Sequence, residues 1–205
     1  MKSFNLLLLS TISIAFLHSL APDHWIPFVM IKKTQNWSKK KTFFVVLTSA
    51  IGHVGSSILL GGIGIALGFA SSILQGVEST RGEIGLYLLI GFGIAYTLWG
   101  LKHAKSLHTH SLNKKAVTLW ALFAIFVLGP CEPLIPLMFL ASSFDISGII
   151  IISLTFALIT IFMMELQVFL GVFGIELVKH KIVEKYSHTF AGIVIAFTGI
   201  LLLLI

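Results

Sequence analysis

The chain has 205 residues, of which 57% are hydrophobic and 11% are charged, and its mean hydropathy is +1.01. These values exclude an ordinary soluble domain and indicate an all-α, polytopic membrane protein. Windows apolar enough to cross about 30 Å of hydrocarbon fall at roughly 3–31, 42–70, 84–101, 116–141, 147–175 and 187–205. We therefore expect six transmembrane helices in a single domain, 1–205, and any activity must reside within the bundle.

The net charge of +6 does not require a nucleic-acid partner. Lysines concentrate in three short loops, at 32–41, 102–115 and 179–185, whereas the segments at 78–83 and around Asp145 are not basic. The positive-inside rule explains this pattern. It predicts a multi-pass protein of the plasma or inner membrane with both termini outside.

The first window contains three ionisable side chains at His18-Ser19-Leu20-Ala21-Pro22-Asp23-His24. Each costs roughly 2.5 to 3.5 kcal/mol at membrane depth, so a purely structural role is disfavoured. On an unbroken helix, His18, Asp23 and His24 would lie near 0°, 140° and about 240° around the axis. Pro22 has no amide proton for the carbonyl of His18. We therefore predict a helix broken at Pro22, whose halves turn these side chains toward one cavity; a kinked helix with histidines bonded to its neighbours is the alternative.

The second window places His53 near its middle, at the depth of the first cluster. A lone buried histidine is usually a hydrogen-bonded packing residue, but the matching depth favours a ligand. The fifth window carries Glu165 near its centre, either as a second ionisable group of the site or as a protonated hydrogen-bond donor. Both residues are therefore candidates for a site at the membrane midplane.

The fourth window is interrupted at Gly129-Pro130-Cys131-Glu132-Pro133-Leu134-Ile135-Pro136. The prolines Pro130, Pro133 and Pro136 cannot donate the helical hydrogen bonds that Phe126, Gly129 and Glu132 would accept. This second broken segment resembles Ala21-Pro22-Asp23-His24 in composition, and a helix with one ionisable residue follows each. The pattern predicts two inverted repeats of three helices, at about 1–105 and 114–205, with helices one and four broken.

The side chains that could converge at the midplane are imidazoles and carboxylates with one thiol. Imidazole with carboxylate suits Ni(II), Co(II), Zn(II) or Fe(II), and does not suit Mg(II) or Ca(II), which prefer oxygen ligands. No nucleophile constellation is visible, so we predict a transporter of divalent metal ions rather than an enzyme, without an organic cofactor. The expected partners are membrane lipid and the metal ion, and a homo-oligomer is left open. The candidate residues are His18, Asp23, His24 and His53 in the first half and Cys131, Glu132 and Glu165 in the second.

The spacing His18-x-x-x-x-Asp23-His24 in a transmembrane helix resembles the signature of the nickel/cobalt transporter family. The six-helix layout with His53 on the next helix is similar to urease-accessory-type nickel permeases and to nickel/cobalt efflux proteins. The resemblance implies a nickel or cobalt permease with these four residues along the metal pathway. The chain departs from the efflux members in its short third loop, which holds three histidines (His103, His108, His110), and from the larger uptake members in its fewer helices.

Three other functions remain open on the sequence. Gly129-Pro130-Cys131-Glu132-Pro133 resembles the Pro-Cys-x-x-Pro segment of membrane thiol-disulfide carriers, but those use two cysteines and this chain has one. A haem protein could use His18 or His24 together with His53 as axial ligands. A sulfur-oxyanion exporter would need an anion site, and no arginine lies within any of the six predicted spans.

Overall fold

A computed structural model describes residues 2–105, 114–129, 131–176 and 186–204. Within these ranges the regular structure is helical and contains no strand, which confirms the all-α prediction. The predicted helix-breaking Pro130 and the loop histidines His108 and His110 lie outside the described residues. The helices are α1 (Lys2–Ser19), α2 (Ile26–Gln35), α3 (Lys39–Ala66), α4 (Ser71–Lys105), α5 (Lys114–Leu128), α6 (Leu134–Ala141), α7 (Asp145–Glu176) and α8 (Ser187–Leu203), and the short 3-10 helices are Pro22–His24 and Ser142–Phe144.

Three helical stretches of the described chain are long and apolar enough to cross a membrane: Lys39–Ala66, Ser71–Lys102 and Leu134–Ile175. A fourth is obtained if Ser3–Ser19 and Pro22–Gln35, which meet at 73°, form one broken span. Two apolar helices, Leu119–Leu128 and Ser187–Leu203, are shorter. The structure thus supports a membrane protein with three or four such spans, where the sequence predicts six.

The helix ends follow local sequence signals. Asn36 closes α2 in the left-handed conformation, with φ of 49°, which a short amide side chain tolerates. Ser38 caps α3 by accepting a hydrogen bond from the amide of Lys41 at 3.2 Å. Asp145, with φ of 71°, begins α7 and accepts from the amide of Ser147 at 2.7 Å. These residues mark the end of α2 and the starts of α3 and α7.

The helix α4 is longer than the sequence predicted. The hydropathy window began at 84, because Glu78, Arg81 and Glu83 lower the average before it, yet the helix starts at Ser71. The expectation that no arginine lies within a span is therefore wrong, since Arg81 falls inside the apolar stretch Ser71–Lys102. Arg81 pairs with Glu78 within the protein, and such a charged pair can be part of a helix that a hydropathy average excludes.

Close glycine contacts join α4 to α8. A Cβ atom at Gly93 would lie 2.7 Å from Cα of Ala196, and one at Gly100 would lie 2.8 Å from the carbonyl carbon of His188. Residue 93 of α4 lies beside residue 196 of α8, and residue 100 of α4 lies beside residue 188 of α8. The two helices are therefore antiparallel. Small residues at such contacts let backbones approach closely, which is how helices commonly associate in membranes.

Candidate metal site between two broken helices

Two backbone carbonyls at the first break, those of His18 and Ser19, are hydrogen-bonded within the protein. The amide of Ala21 donates to the carbonyl of His18 at 3.2 Å, and the side chain of Gln167 on α7 donates to the carbonyl of Ser19 at 2.9 Å. The expectation that Pro22 leaves the carbonyl of His18 unpaired is therefore wrong, because the tighter turn brings the amide of Ala21 within reach. The carbonyls of His18 and Ser19 are therefore already hydrogen-bonded, and the ionisable side chains are the candidate ligands at this break.

Three imidazoles meet beside the break. One ligand atom from each of His18, His24 and His53 lies within 4.8 Å of the others, and this is the group of metal-ligating side chains found in the described residues. The ring of His24 stands nearly perpendicular to those of His18 (82°) and His53 (88°), whereas the rings of His18 and His53 are parallel within 8°. The end of α1, the 3-10 turn and the middle of α3 therefore contribute one ring each.

Hydrogen bonds fix the orientation of two of these rings. Nδ1 of His24 lies 3.0 Å from Oδ1 of Asp23, and Nδ1 of His53 lies 3.1 Å from the carbonyl oxygen of Phe126. A carboxylate and a carbonyl only accept hydrogen bonds, so both Nδ1 atoms carry the hydrogen. The Nε2 atoms of the two neutral rings then expose lone pairs, and they face each other at 3.2 Å. Two lone pairs at this distance repel unless a proton or a metal ion lies between them.

The spacing of the two nitrogens suits a shared metal ion. With bonds of about 2.1 Å, nitrogens 3.2 Å apart subtend about 100° at the ion, between octahedral and tetrahedral angles. A cavity of about 20 Å³, lined by Asp23, His24 and His53 among others, adjoins the pair. That volume holds about one water-sized particle. Both histidines are buried, and His18 is partly buried.

The second broken helix supplies the groups that orient the site. The helix α5 ends at Leu128 and α6 begins at Leu134. The carbonyl of Phe126 accepts from Nδ1 of His53. The carbonyl of Gly129 accepts from Nη2 of Arg81 at 3.3 Å. These are two of the three carbonyls that the prolines were predicted to free. Their role here is to bind side chains of α3 and α4 rather than an ion.

Cys131 lies at the same break and reaches the histidine cluster. Its thiol is fully buried, and Sγ lies 3.7 Å from Nε2 of His18. This distance is within the range of a hydrogen bond to sulfur, and it links the second break to the first. Of the three candidates from the second half, Cys131 is the one whose side chain contacts the cluster.

The other predicted residues of the second half lie elsewhere. Glu132 is exposed, although it follows Cys131 directly, and Pro133 precedes the first residue of α6 as its N-cap. Glu165 lines a separate groove on the side of α7. Backbone geometry explains these positions, because the side chains of neighbouring residues point in different directions where a helix is broken. The depth of a residue in the membrane does not determine the direction of its side chain.

A buried ion pair beside the site was missed by the sequence analysis. Oε1 of Glu78 accepts hydrogen bonds from Ser57 Oγ at 2.5 Å, from Arg81 Nη2 at 2.5 Å and from the amide of Cys131 at 3.0 Å. The Glu78 side chain is completely buried. The available signal was the spacing of Glu78 and Arg81, which puts opposite charges on one helical face. The two charges offset each other, so Asp23 gives the histidine cluster its net negative neighbour.

Comparisons of the chain with protein-family models, with curated proteins and with solved structures yield no match.

Proposed function

We propose that this chain is a membrane transporter for a divalent transition-metal ion of the nickel or cobalt type, with Zn(II) or Fe(II) as further substrates. The ion would be bound by His18, His24 and His53, with Asp23 orienting His24. The observation that carries this proposal is the pair of Nε2 atoms of His24 and His53, which face each other at 3.2 Å while both Nδ1 atoms are held by acceptors.

The chemistry of the ligands favours borderline metals. Three imidazoles form a nitrogen-rich set, which suits nickel, cobalt, zinc or iron and not magnesium or calcium. The carboxylate of Asp23 accepts a hydrogen bond from His24 and the carbonyl of Phe126 accepts one from His53, and such acceptors typically orient metal-binding histidines. A cluster of ionisable groups between broken helices is also where transporters bind their substrates. The resemblance of His18-x-x-x-x-Asp23-His24 to the nickel/cobalt family agrees with this choice.

The proposal includes six membrane spans in two inverted repeats. The order of elements supports it, because a broken segment followed by two helices occurs twice. In the first half α1 and α2 form the broken segment and are followed by α3 and α4. In the second half α5 and α6 form it and are followed by α7 and α8. An alternating path of six spans requires the first and fifth spans to be parallel. The rings of Phe4 and Phe144, near the starts of α1 and α7, are 5.3 Å apart. Further along both helices, the side chain of Gln167 donates a hydrogen bond to the carbonyl of Ser19. The helices α1 and α7 are therefore parallel. The antiparallel contact of α4 with α8 fits the third and sixth spans.

The alternatives receive less support from the geometry. A haem iron between His24 and His53 would need room for a porphyrin, whereas the adjoining cavity measures about 20 Å³. An oxyanion site could use Arg81, which lies in α4, but its guanidinium already donates to Glu78, Ser57 and Gly129. A thiol carrier would have to work with a single, fully buried cysteine.

Metal titration of the purified protein tests the proposal. Ni(II), Co(II), Zn(II) and Fe(II) are titrated into the intact chain, into His24→Ala and His53→Ala, and into His188→Gln as a control. Nδ1 of His188 bonds the hydroxyl of Tyr96 away from the cluster, at 2.9 Å. We expect one ion per chain, lost in the two cluster variants and kept in the control, and metal flux in proteoliposomes with the same pattern. Absence of binding by the intact chain would refute the proposal.

A further inference from the structure

A second, larger cavity lies on the side of α7, at the start of α3 and away from the histidine cluster. Its volume is about 500 Å³, and its lining combines apolar side chains with two lysines and one glutamate. The histidine site does not account for it, because none of His18, His24 and His53 lines it. A groove of this size is in the range of pockets that hold a ligand.

The wall of the groove is aromatic and faces outward. Phe162, Phe169 and Phe173 are spaced by seven and four residues along α7, so they share one side of the helix, and each is more than 60% exposed. Phe43 on α3 lines the opposite side and is 47% exposed. An exposed apolar strip of this kind on a helix long enough to span a membrane matches an acyl chain.

One end of the groove is positively charged. Lys32, in the last turn of α2, and Lys39, the first residue of α3, both line it. The segment from 32 to 41 contains five lysines and no acidic residue. The first turn of α3 also contains no acidic residue, and its amides add partial positive charge at this end. A negatively charged group is therefore complementary to the lysine end of the groove.

We infer that this groove binds an anionic glycerophospholipid of the surrounding bilayer. Its phosphate would lie at Lys32 and Lys39, and an acyl chain would lie along the phenylalanines of α7. Basic pockets between membrane helices on the lysine-rich side are typical binding sites for such headgroups. The inference rests on the groove and on the membrane location of the chain, and it does not depend on metal transport.

Glu165 is the acidic side chain of the groove. A Cβ at Gly171 of α7 would lie 2.8 Å from Cγ2 of Val29, which is in the same helix as Lys32 and three residues before it. The lysine end therefore lies beside the last groove residues of α7, and Glu165 lies away from it. Glu165 precedes Phe173 by eight residues, which corresponds to about 12 Å along the helix axis. Its buried Oε1 has no hydrogen-bond partner among the described residues. In its protonated form this carboxyl can donate to an ester carbonyl of the lipid, below the phosphate, so it does not oppose the charge at the lysine end.

Lipid retention tests the inference. The protein is reconstituted in nanodiscs with equal amounts of phosphatidylglycerol and phosphatidylcholine, released into detergent, and its bound lipid counted by native mass spectrometry. Lys39→Glu is compared with Lys40→Glu, which makes the same change of charge at an exposed neighbour that does not line the groove. We expect the intact chain to retain phosphatidylglycerol preferentially, Lys39→Glu to lower this retention by about fivefold, and Lys40→Glu to keep it.

A tryptophan in the groove provides an independent readout. Phe169→Trp should be quenched more by brominated phosphatidylglycerol than by brominated phosphatidylcholine, whereas Phe190→Trp, on the exposed face of α8, should respond equally to both. Equal retention of the two lipids by the intact chain, equal losses in the two lysine variants, or equal quenching at Phe169→Trp by the two lipids would overturn the inference.

Discussion

The backbone amide of Cys131 donates a hydrogen bond to Oε1 of Glu78 over 3.0 Å. The same oxygen accepts from Ser57 on α3 and from Arg81 on α4. One buried carboxylate thus joins the break between α5 and α6 to the two helices beside it. Because Phe126, just before that break, orients His53, the ion pair also supports the geometry of the histidine cluster.

We expect Glu78→Gln to destabilise the protein strongly. The substitution leaves the guanidinium of Arg81 partly buried without its counter-charge, and breaking a buried ion pair on one side typically costs about 3 to 5 kcal/mol. The measurement is thermal unfolding of the purified protein in detergent. Glu83→Gln is the matched control, since Glu83 lies in the same helix and is exposed.

The double variant Glu78→Gln with Arg81→Gln separates charge from shape. It removes both charges, so we expect it to recover part of the stability lost in Glu78→Gln. Equal unfolding temperatures for Glu78→Gln and Glu83→Gln would contradict the role given to the ion pair.

We expect Asp23→Asn to weaken metal binding about 10- to 100-fold, as is usual for the loss of a carboxylate that orients a metal-binding histidine. The amide keeps the size of the side chain but removes the charge that faces Nδ1 of His24. Titration calorimetry with Ni(II) measures the change. Asp145→Asn serves as the control, because Asp145 is exposed at the start of α7. An affinity equal to that of the intact chain would show that Asp23 does not orient the ligand.

Metal binding should release about one proton per ion. The facing Nε2 atoms of His24 and His53, 3.2 Å apart, repel each other when both rings are neutral, so a metal ion would displace any proton that they share in the empty site. Acid therefore competes with the metal: affinity should fall by about tenfold per pH unit wherever the empty site holds this proton, and rise as the pH increases. A pH dye in weakly buffered solution counts the protons released. The release is counted per ion bound, and uptake of metal without any proton release would contradict the arrangement.

The sequence was sufficient to locate the breaks and the first-half cluster. It was not sufficient to predict the direction in which each side chain points within the bundle. Pro22 marks a real interruption, because proline removes a helical hydrogen bond wherever it lies inside a helix. The positions of Glu132 and Glu165 depend instead on how each helix is rotated in the bundle, which hydropathy does not determine. Glu78 was excluded because an averaged window penalises charge and cannot register that Ser57, Arg81 and Cys131 compensate it.

The contact of α4 with α8 should not tolerate a larger side chain at Gly93, whereas a larger side chain should be tolerated at Gly91, two residues earlier. A Cβ at Gly93 would meet the backbone of Ala196 at 2.7 Å, whereas a Cβ at Gly91 would meet nothing within 4 Å. We therefore expect Gly93→Leu to lower stability by about 1 to 3 kcal/mol, as overpacking does, and Gly91→Leu to have little effect. Thermal unfolding in detergent compares the two, and similar losses in both would contradict the packing.

The thiol of Cys131 should act through its contact with His18 and not through redox chemistry. Sγ lies 3.7 Å from Nε2 of His18. A serine hydroxyl retains a hydrogen-bonding group on this side of the ring, whereas alanine has none. Loss of one neutral hydrogen bond costs about 1 kcal/mol, so Cys131→Ala should weaken metal binding about fivefold, and Cys131→Ser should remain close to the intact chain. Both variants should still transport metal in proteoliposomes. A thiol-disulfide carrier would instead lose its activity in both variants alike, because neither serine nor alanine can form the mixed disulfide that thiol exchange requires.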